Sequence, residues 1–149
     1  MNKTTISVEG LDALQRDFTR ISDEAREGLS MAVKATALDI DRDVKKRIQG
    51  GPKTGRIYTR GSGQNLSTTH QASAPGESPA TDTGTLVSSQ YFKQPSELTA
   101  TVGSRLAYAY YLEFGTRTIA ARPTWIPAIE AITPKFNQRV DKVLKEATR

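Results

Sequence analysis

The most regular hydrophobic pattern in the chain follows Ser22 and ends before Gly50-Gly51-Pro52. Apolar residues recur there at intervals of three or four, the spacing of one face of an α-helix. Ser22 is a favourable N-cap, and the acidic residues Asp23 and Glu24 suit the positive end of the helix dipole. The pattern therefore predicts a helix of about seven turns. Its apolar stripe consists of Leu29, Val33, Ala37, Ile40, Val44 and Ile48.

Two shorter elements are predicted before this helix. Residues 4–8 alternate between polar and apolar side chains, which is the pattern of a short strand. Gly10 ends the strand. Leu11, Leu14, Phe18 and Ile21 then follow at helical spacing and predict a short amphipathic helix.

The second half of the chain mixes short strands and helices. Asp82 or Thr83 is expected to cap a short helix that runs through residues 86–88. Residues 89–93 and 98–103 are predicted as two strands joined by a turn at residues 95–97. Residues 107–114 are apolar and aromatic, and we expect Gly115 to end that segment with a positive φ angle.

A C-terminal helix is predicted from Trp125 to Thr148, with Pro127 in its first turn. Pro134 falls in the interior, where a proline removes a hydrogen bond and its ring meets the preceding turn. We therefore expect a kink or break near Ile132–Thr133, with Thr133 as the cap of a second segment.

Residues 50–84 have a different composition. They contain seven of the eleven glycines and three of the seven prolines, and few large apolar side chains. A loop of this length in a domain of this size is expected to be functional or disordered. We therefore predict an extended arm over residues 50–82 that a neighbouring subunit orders.

Together these elements predict an α+β fold in one domain of 149 residues. A long N-terminal helix and a C-terminal helix would pack on a small, mainly antiparallel sheet.

The composition excludes several classes of chemistry. The chain has no cysteine and one histidine, so thiolate and multi-histidine metal sites are excluded and a Ser-His-Asp relay is disfavoured. No apolar run reaches the roughly 20 residues of a membrane span, and residues 1–5 carry no signal-peptide pattern. Residues 82–84 match the Asp-Thr-Gly of aspartic proteases, but one copy without a preceding apolar strand does not make that site. We predict no catalytic, metal or cofactor site.

The net charge of +5 leaves nucleic acid open as a partner. Residues 1–50 are neutral, and the excess of positive charge lies in the rest of the chain without a dense basic stripe. Lys53, Arg56 and Arg60 interleave with Tyr58 in the predicted arm, which allows contact with DNA, subunit contact or simple solvation. A small basic DNA-binding protein is therefore the alternative function.

Two segments of the sequence carry a family resemblance. Residues 108–116 are an apolar-aromatic stretch that ends in Glu-Phe-Gly-Thr, and residues 121–128 follow as Ala-Arg-Pro-Thr-Trp-Ile-Pro-Ala. Upstream, residues 73–86 contain Ala-Pro-Gly followed by Asp-Thr-Gly-Thr-Leu. This pair of motifs resembles the tail-component family of long-tailed bacteriophages, named after gene product ten of a lambda-like phage. The motif positions are Pro75, Gly76, Asp82, Thr83, Gly84, Glu113, Phe114, Gly115, Thr116, Arg122, Pro123 and Pro127.

The resemblance, which extends over roughly residues 8–147, implies a structural virion protein at the head–tail junction. Such proteins act in tail completion, tail termination or the neck, often as homo-oligomeric rings that match the sixfold tail. The expected partners are further copies of the chain, other neck, connector and tail tube proteins, and genomic DNA that passes through the lumen without sequence specificity. Assembly would take place in the host cytoplasm.

Contact residues are expected in both the arm and the motifs. Large aromatic side chains often anchor subunit interfaces, although the same residues also serve ordinary cores. We also expect Glu113 to pair with Arg122, and Arg122-Pro123 to enter the C-terminal helix in an extended conformation. The candidate interface residues are Ile57, Tyr58, Arg60, Leu66, Tyr108, Tyr111, Phe114 and Trp125.

Overall fold

The computed structural model describes residues 23–60 and 68–147. Within these ranges it has four helices and two antiparallel two-stranded sheets, which confirms the α+β class. The predicted elements at residues 4–8 and 11–21, together with Ser22, Leu66 and the side chain of Arg60, lie outside what it describes. The helices are α1 (Asp23–Gly50), α2 (Thr85–Ser88), α3 (Tyr108–Phe114) and α4 (Trp125–Ala147). The strands are β1 (Ile57–Arg60), β2 (Thr68–Gln71), β3 (Gln90–Ser96) and β4 (Thr99–Ser104).

Helix α1 supplies the largest part of the core. All six residues of the predicted apolar stripe are buried, and the two nearest its C-terminal end, Val44 and Ile48, are fully enclosed. The other helices and strand β4 each add a few side chains to the same core, so they pack around α1. These side chains include Leu86, Val102, Ala109, Trp125 and Ala128.

Helix α4 packs antiparallel against α1. The start of α1 meets the end of α4, where Gly28 lies against Val143. At the other end, Arg47 Nη2 donates to the carbonyl oxygen of Pro127 across 3.4 Å. Trp125 is only 3% exposed at the beginning of α4. The long apolar stripe of α1 is thus matched along its length by a second helix.

Asp39 joins the two helices by charge. Its Oδ2 atom accepts hydrogen bonds from Lys135 Nζ at 2.8 Å and from Arg139 Nη2 at 2.7 Å. The Asp39 side chain is 12% exposed, so these contacts are partly shielded from water. The hydrogen bond from Lys135 and the nearby Arg139 guanidinium lower the pKa of Asp39 below its ordinary value of 3.8.

The β3–β4 hairpin differs from the prediction in its turn. The sequence placed the turn at residues 95–97, but β3 continues through Pro95 to Ser96, and the turn falls on Glu97 and Leu98. A register irregularity between Lys93 and Ser96 lets β3 pass Pro95. Because proline has no N–H to donate to a ladder, this irregularity is where it is tolerated.

Helix α4 runs without a break through Pro134, so the predicted break near Ile132–Thr133 is wrong. Pro134 is exposed, and the hydroxyl of Thr133 donates to the carbonyl oxygen of Ile129 at 2.7 Å instead of capping a second helix. Packing along α1 supports both sides of Pro134. Tertiary contacts therefore outweigh the local cost of about 3 kcal/mol for an interior proline.

The segment predicted as an extended arm has more structure than its composition suggested. Strands β1 and β2 pair antiparallel, from Ile57 opposite Gln71 to Arg60 opposite Thr68. Ser73 and Pro79 are buried, and the N–H of Thr81 donates to the carbonyl oxygen of Ile48 at 3.2 Å. In the described part of this segment the hairpin strands are mostly exposed, while the chain after them lies on the body and satisfies a carbonyl at the end of α1.

Truncation of the enclosed end of α1 should be costly. We expect Ile48→Ala to lower the free energy of unfolding by about 2–5 kcal/mol, because the lost methyl groups leave a cavity in a fully buried site. The matched control is Leu38→Ala, because the Leu38 side chain lies on the same helix and is 39% exposed. Equal losses from the two variants in urea denaturation would contradict the assignment of the core.

The Asp39 contacts should make the helix pair sensitive to acid. The lowered pKa means that Asp39 stabilises the fold above the ordinary value of 3.8, and that this contribution is lost as the pH falls through the lowered pKa. We expect Asp39→Asn to cost about 1 kcal/mol at pH 7 and progressively less below pH 4. Urea denaturation between pH 2 and pH 7 measures this, with the exposed Asp141→Asn as control. A cost independent of pH would contradict it.

Candidate assembly surface

The two motifs of the sequence meet in space. The N–H of Gly76 donates to the carbonyl oxygen of Ala121 at 2.9 Å, and the hydroxyl of Ser78 donates to the carbonyl oxygen of Pro123 at 3.1 Å. About 45 residues separate the partners in sequence. The motifs therefore form one structural unit that holds the chain after the hairpin against the approach to α4.

Arg122 is the centre of this unit. Its backbone N–H donates to the carbonyl oxygen of Leu112 at 2.6 Å, and its Nε donates to the carbonyl oxygen of Ser73 at 3.3 Å. The predicted pairing with Glu113 is wrong, because the guanidinium is directed toward the first motif. One arginine thus connects α3, the segment after the hairpin and the start of α4.

The carboxylate of Glu113 caps α4. It accepts hydrogen bonds from the backbone N–H groups of Thr124 at 2.7 Å, Trp125 at 3.1 Å and Ile126 at 2.8 Å. These donors have no partner within the helix, since the first N–H groups of an α-helix are always left unpaired. Glu113 is only 3% exposed. A buried carboxylate is therefore held by three backbone donors and by the positive end of the helix dipole.

Gly115 makes the reversal between α3 and α4 possible. Its φ angle is 75°, as predicted, and its N–H donates to the carbonyl oxygen of Tyr111 at 2.9 Å. A Cβ atom there would lie 2.8 Å from the carbonyl oxygen of Ile119. Both the backbone conformation and the close approach of the next loop require glycine.

The root of the β1–β2 hairpin is fixed by Glu77. Its carboxylate accepts a hydrogen bond from the Thr54 hydroxyl at 2.5 Å and others from the N–H groups of Thr54 at 3.1 Å and Ala74 at 2.7 Å. These bonds, first of all the one from the Thr54 hydroxyl, lower the pKa of Glu77. The two chains of the hairpin are thereby clamped where they leave the body.

Gly55 allows the same two chains to approach closely. Its N–H donates to the carbonyl oxygen of Ala72 at 2.9 Å, and a Cβ atom there would lie 2.5 Å from the carbonyl oxygen of Ser73. We call the described residues of this hairpin, 53–60 and 68–72, the hairpin arm. Its root is well fixed, although its two strands bury little.

The arm presents apolar side chains to solvent. Ile57 is 60% exposed and Tyr58 is 50% exposed, with the Arg56 guanidinium 5.5 Å from the Tyr58 ring centre. A two-stranded hairpin by itself is marginally stable in water. The exposed pair and the unpaired strand edges make the arm a candidate for contact with another molecule.

Helix α3 carries a second exposed apolar surface. Its buried residues are Ala109 and Glu113, while its aromatic side chains turn outward. The centre of the Tyr110 ring lies 4.8 Å from that of Phe114 and 5.8 Å from that of Tyr111, so these three rings are in contact. We call this surface the aromatic face. Its members are Tyr108 (43% exposed), Tyr110 (48%), Tyr111 (47%) and Phe114 (53%).

The structure separates the predicted contact residues into two groups. Ile57, Tyr58, Tyr108, Tyr111 and Phe114 are all exposed within the chain, whereas Trp125 lies in the core beside α1. Tyr110 is also exposed, although it was not among the contact residues predicted from the sequence. The outward position of Tyr110 follows once Ala109 and Glu113 are known to point inward.

A cleft of about 310 Å³ lies between the arm and α3, and Tyr108 is part of its lining. His70 on β2 is half-buried there, with its Nδ1 atom 3.7 Å from Asp82 Oδ1. Neither Asp82 nor Thr83 occupies the cap position of α2, which falls on Gly84. In the described ranges, no three acidic or histidine side chains converge as a metal site.

None of the described helices is long and apolar enough to cross a membrane.

Loss of the Glu113 cap should destabilise the chain. Glu113→Gln keeps the size of the side chain but places an amide NH₂ group against backbone donors and removes the charge. We expect a loss of about 2–3 kcal/mol in the free energy of unfolding. Glu130→Gln, on an exposed position of α4, is the control. Equivalent urea midpoints for the two variants would show that the cap contributes little.

Comparisons with curated proteins and with solved structures found no match. The family model described as "Bacteriophage HK97-gp10, putative tail-component" matches residues 12–115. The match includes the arm, the first motif and the Glu-Phe-Gly of the second, and ends at Gly115. Arg122 and Pro123 lie beyond it but are bonded to the matched part. Because the match covers more than half of the chain, the chain belongs to the HK97 gp10-like family of bacteriophage tail components.

Proposed function

We propose that this phage tail component works at the head–tail junction as a non-enzymatic structural protein that assembles into a ring. The ring would join the tail tube to the head connector as a tail completion, tail terminator or neck protein. Its partners are further copies of itself and the neighbouring neck, connector and tail tube proteins.

The aromatic face is the observation that carries this proposal. Four aromatic side chains between 43% and 53% exposed lie on a helix of seven residues, and the rings of three of them, Tyr110, Tyr111 and Phe114, are in contact. Clustered exposed aromatics of this kind are typical of interaction sites, and tyrosine is enriched in the central part of subunit interfaces. Rigid rings bury much area at a small loss of side-chain entropy, so they are effective anchors for a neighbouring subunit.

The body of the molecule holds this face in place. Ala109 and Glu113, on the opposite side of α3, are buried, and Glu113 is bonded to the start of α4. The face is therefore presented on a helix that is anchored at both its buried side and its C-terminal end. A preorganised surface loses less entropy on association than a mobile one.

The hairpin arm supplies a second contact. Ile57 and Tyr58 are exposed on a hairpin that is fixed at its root by Glu77, so the arm projects in a defined direction. We propose that Arg60 and Leu66 extend this contact. An arm that reaches from one subunit to another is a simple way to link the members of a ring.

A ring can form when a subunit uses one surface to bind a different surface of its neighbour. Contacts between unlike patches repeat from copy to copy and close into a ring when the rotation allows it. We propose sixfold symmetry to match the phage tail. Genomic DNA would pass through the lumen, with Lys53, Arg56 and Arg60 as the candidates for contacts that do not depend on DNA sequence. The protein would act in the virion after assembly in the host cytoplasm.

The aromatic face can be tested by two polar substitutions. We expect Tyr111→Ser with Phe114→Ser to weaken self-association by at least about tenfold, because two exposed anchors are lost. Sedimentation velocity over a range of concentrations measures this. The control is Met31→Ser, since Met31 is 59% exposed on α1, away from the aromatic face.

The same variants should be compared in joining heads to tails. The proposal expects the double variant, but not the control, to leave unjoined particles in electron micrographs. Unchanged self-association and normal joining in the double variant would contradict it. DNA affinity that falls steeply with salt, in a chain that stays monomeric, would favour the DNA-binding alternative.

A further inference from the structure

The hairpin arm is uniformly basic. The sequence has no acidic residue between Asp43 and Glu77, whereas the arm contains Lys53, Arg56 and Arg60. The Arg56 guanidinium lies over the Tyr58 ring and is exposed. The exposed surface of the arm therefore combines positive charge with the apolar side chains of Ile57 and Tyr58.

A surface of opposite charge lies at the other end of the molecule. Asp23, Glu24 and Glu27 are exposed at the start of α1, and the turn between β3 and β4 brings Glu97 close to them. The Nε of Arg26 lies 4.0 Å from Glu97 Oε2, which fixes this proximity. We call Asp23, Glu24, Glu27 and Glu97 the acidic end.

Among the residues that the structure describes, few positive charges oppose the acidic end. Arg26 is part of it, and the last turns of α4 bring Lys142 and Lys145 into the same region. Lys142 lies 4.0 Å from Glu146 on its own helix. Among the described residues the carboxylates at this end outnumber the positive charges, so the charge of the acidic end complements that of the arm.

The length of α1 keeps the two surfaces apart. The arm leaves the body just after Gly50, and the acidic end surrounds the first turn of α1, 28 residues earlier. At 1.5 Å per residue the helix separates them by about 42 Å. The clamped root of the arm prevents it from folding back over that distance, so the two surfaces can meet only between different copies.

We infer that the hairpin arm of one copy docks on the acidic end of the next, in a head-to-tail contact. This inference rests on the proposed ring and assigns the two surfaces that form one of its contacts. In this contact Arg56 and Lys53 face the carboxylates of the next copy and not the DNA in the lumen, while Ile57 and Tyr58 bury apolar area beside them. Because the two surfaces differ, the contact is heterologous and propagates around the ring.

Charge reversal tests this contact. One variant combines Lys53→Glu with Arg56→Glu in the arm, and another combines Glu24→Lys with Glu27→Lys at the acidic end. We expect each to weaken self-association at least about tenfold at low salt, where exposed charges are least screened. The control, Lys34→Glu with Lys46→Glu, makes the same charge change as the arm variant at exposed positions of α1.

Mixing the two variants is the decisive measurement. An acidic arm then meets a basic end and a basic arm meets an acidic end, so the mixture should return to within about threefold of the wild-type association constant. A chain that carries all four substitutions should behave likewise. Circular dichroism and thermal unfolding confirm that each variant is folded, and sedimentation gives the size of the assemblies.

Several outcomes would overturn the inference. If the wild type assembles and responds to Tyr111→Ser with Phe114→Ser but not to charge reversal, the arm does not dock on the acidic end, while the proposed function stands. Failure of the mixture to associate, or assembly that stops at closed dimers, also excludes the head-to-tail contact. A wild-type chain that stays monomeric at all concentrations overturns the ring and the inference together.

Discussion

The position of α3 and the start of α4 both depend on one interaction, the hydrogen bonds that the buried carboxylate of Glu113 accepts. It accepts the first N–H groups of α4 and so fixes the position from which that helix runs back along α1. Because Glu113 belongs to α3, the same bonds also hold α3 against the body. The hydrogen bonds that fix the start of α4 therefore also fix the orientation of the aromatic face.

A second set of polar contacts extends this arrangement to the hairpin arm. Arg122 donates to Ser73, and Gly76 donates to Ala121, so the segment after the arm is attached to the approach to α4. Glu77 then clamps the root of the arm. A chain of hydrogen bonds thus connects the core to both candidate contact surfaces. The motif residues Glu113, Gly115 and Arg122 position these surfaces, while the motif residue Phe114 is itself part of the aromatic face.

This division explains which features were predictable. Helix α1, its buried stripe, the positive φ angle of Gly115 and the family followed from periodicity and motif, because each depends on neighbouring residues in the chain. The predicted break near Ile132–Thr133 was wrong, because local helix propensity does not include the stabilisation that α4 gains by packing against α1. The predicted Glu113–Arg122 pair was wrong for a similar reason. Each side chain instead bonds to backbone groups of other segments, Arg122 to the carbonyl of Ser73 and Glu113 to the first N–H groups of α4.

The sequence by itself determined that the chain is α+β, where its long helices lie, and that it belongs to a phage tail family. The tertiary structure decided that Trp125 enters the core while Tyr110 faces outward, that a hairpin forms within a glycine-rich loop, and that Glu113 caps a helix beyond the next turn. Periodicity reports the side on which a residue lies within its own element. Only the packing of elements against one another decides which side becomes the interior, because burial is a property of the assembled chain.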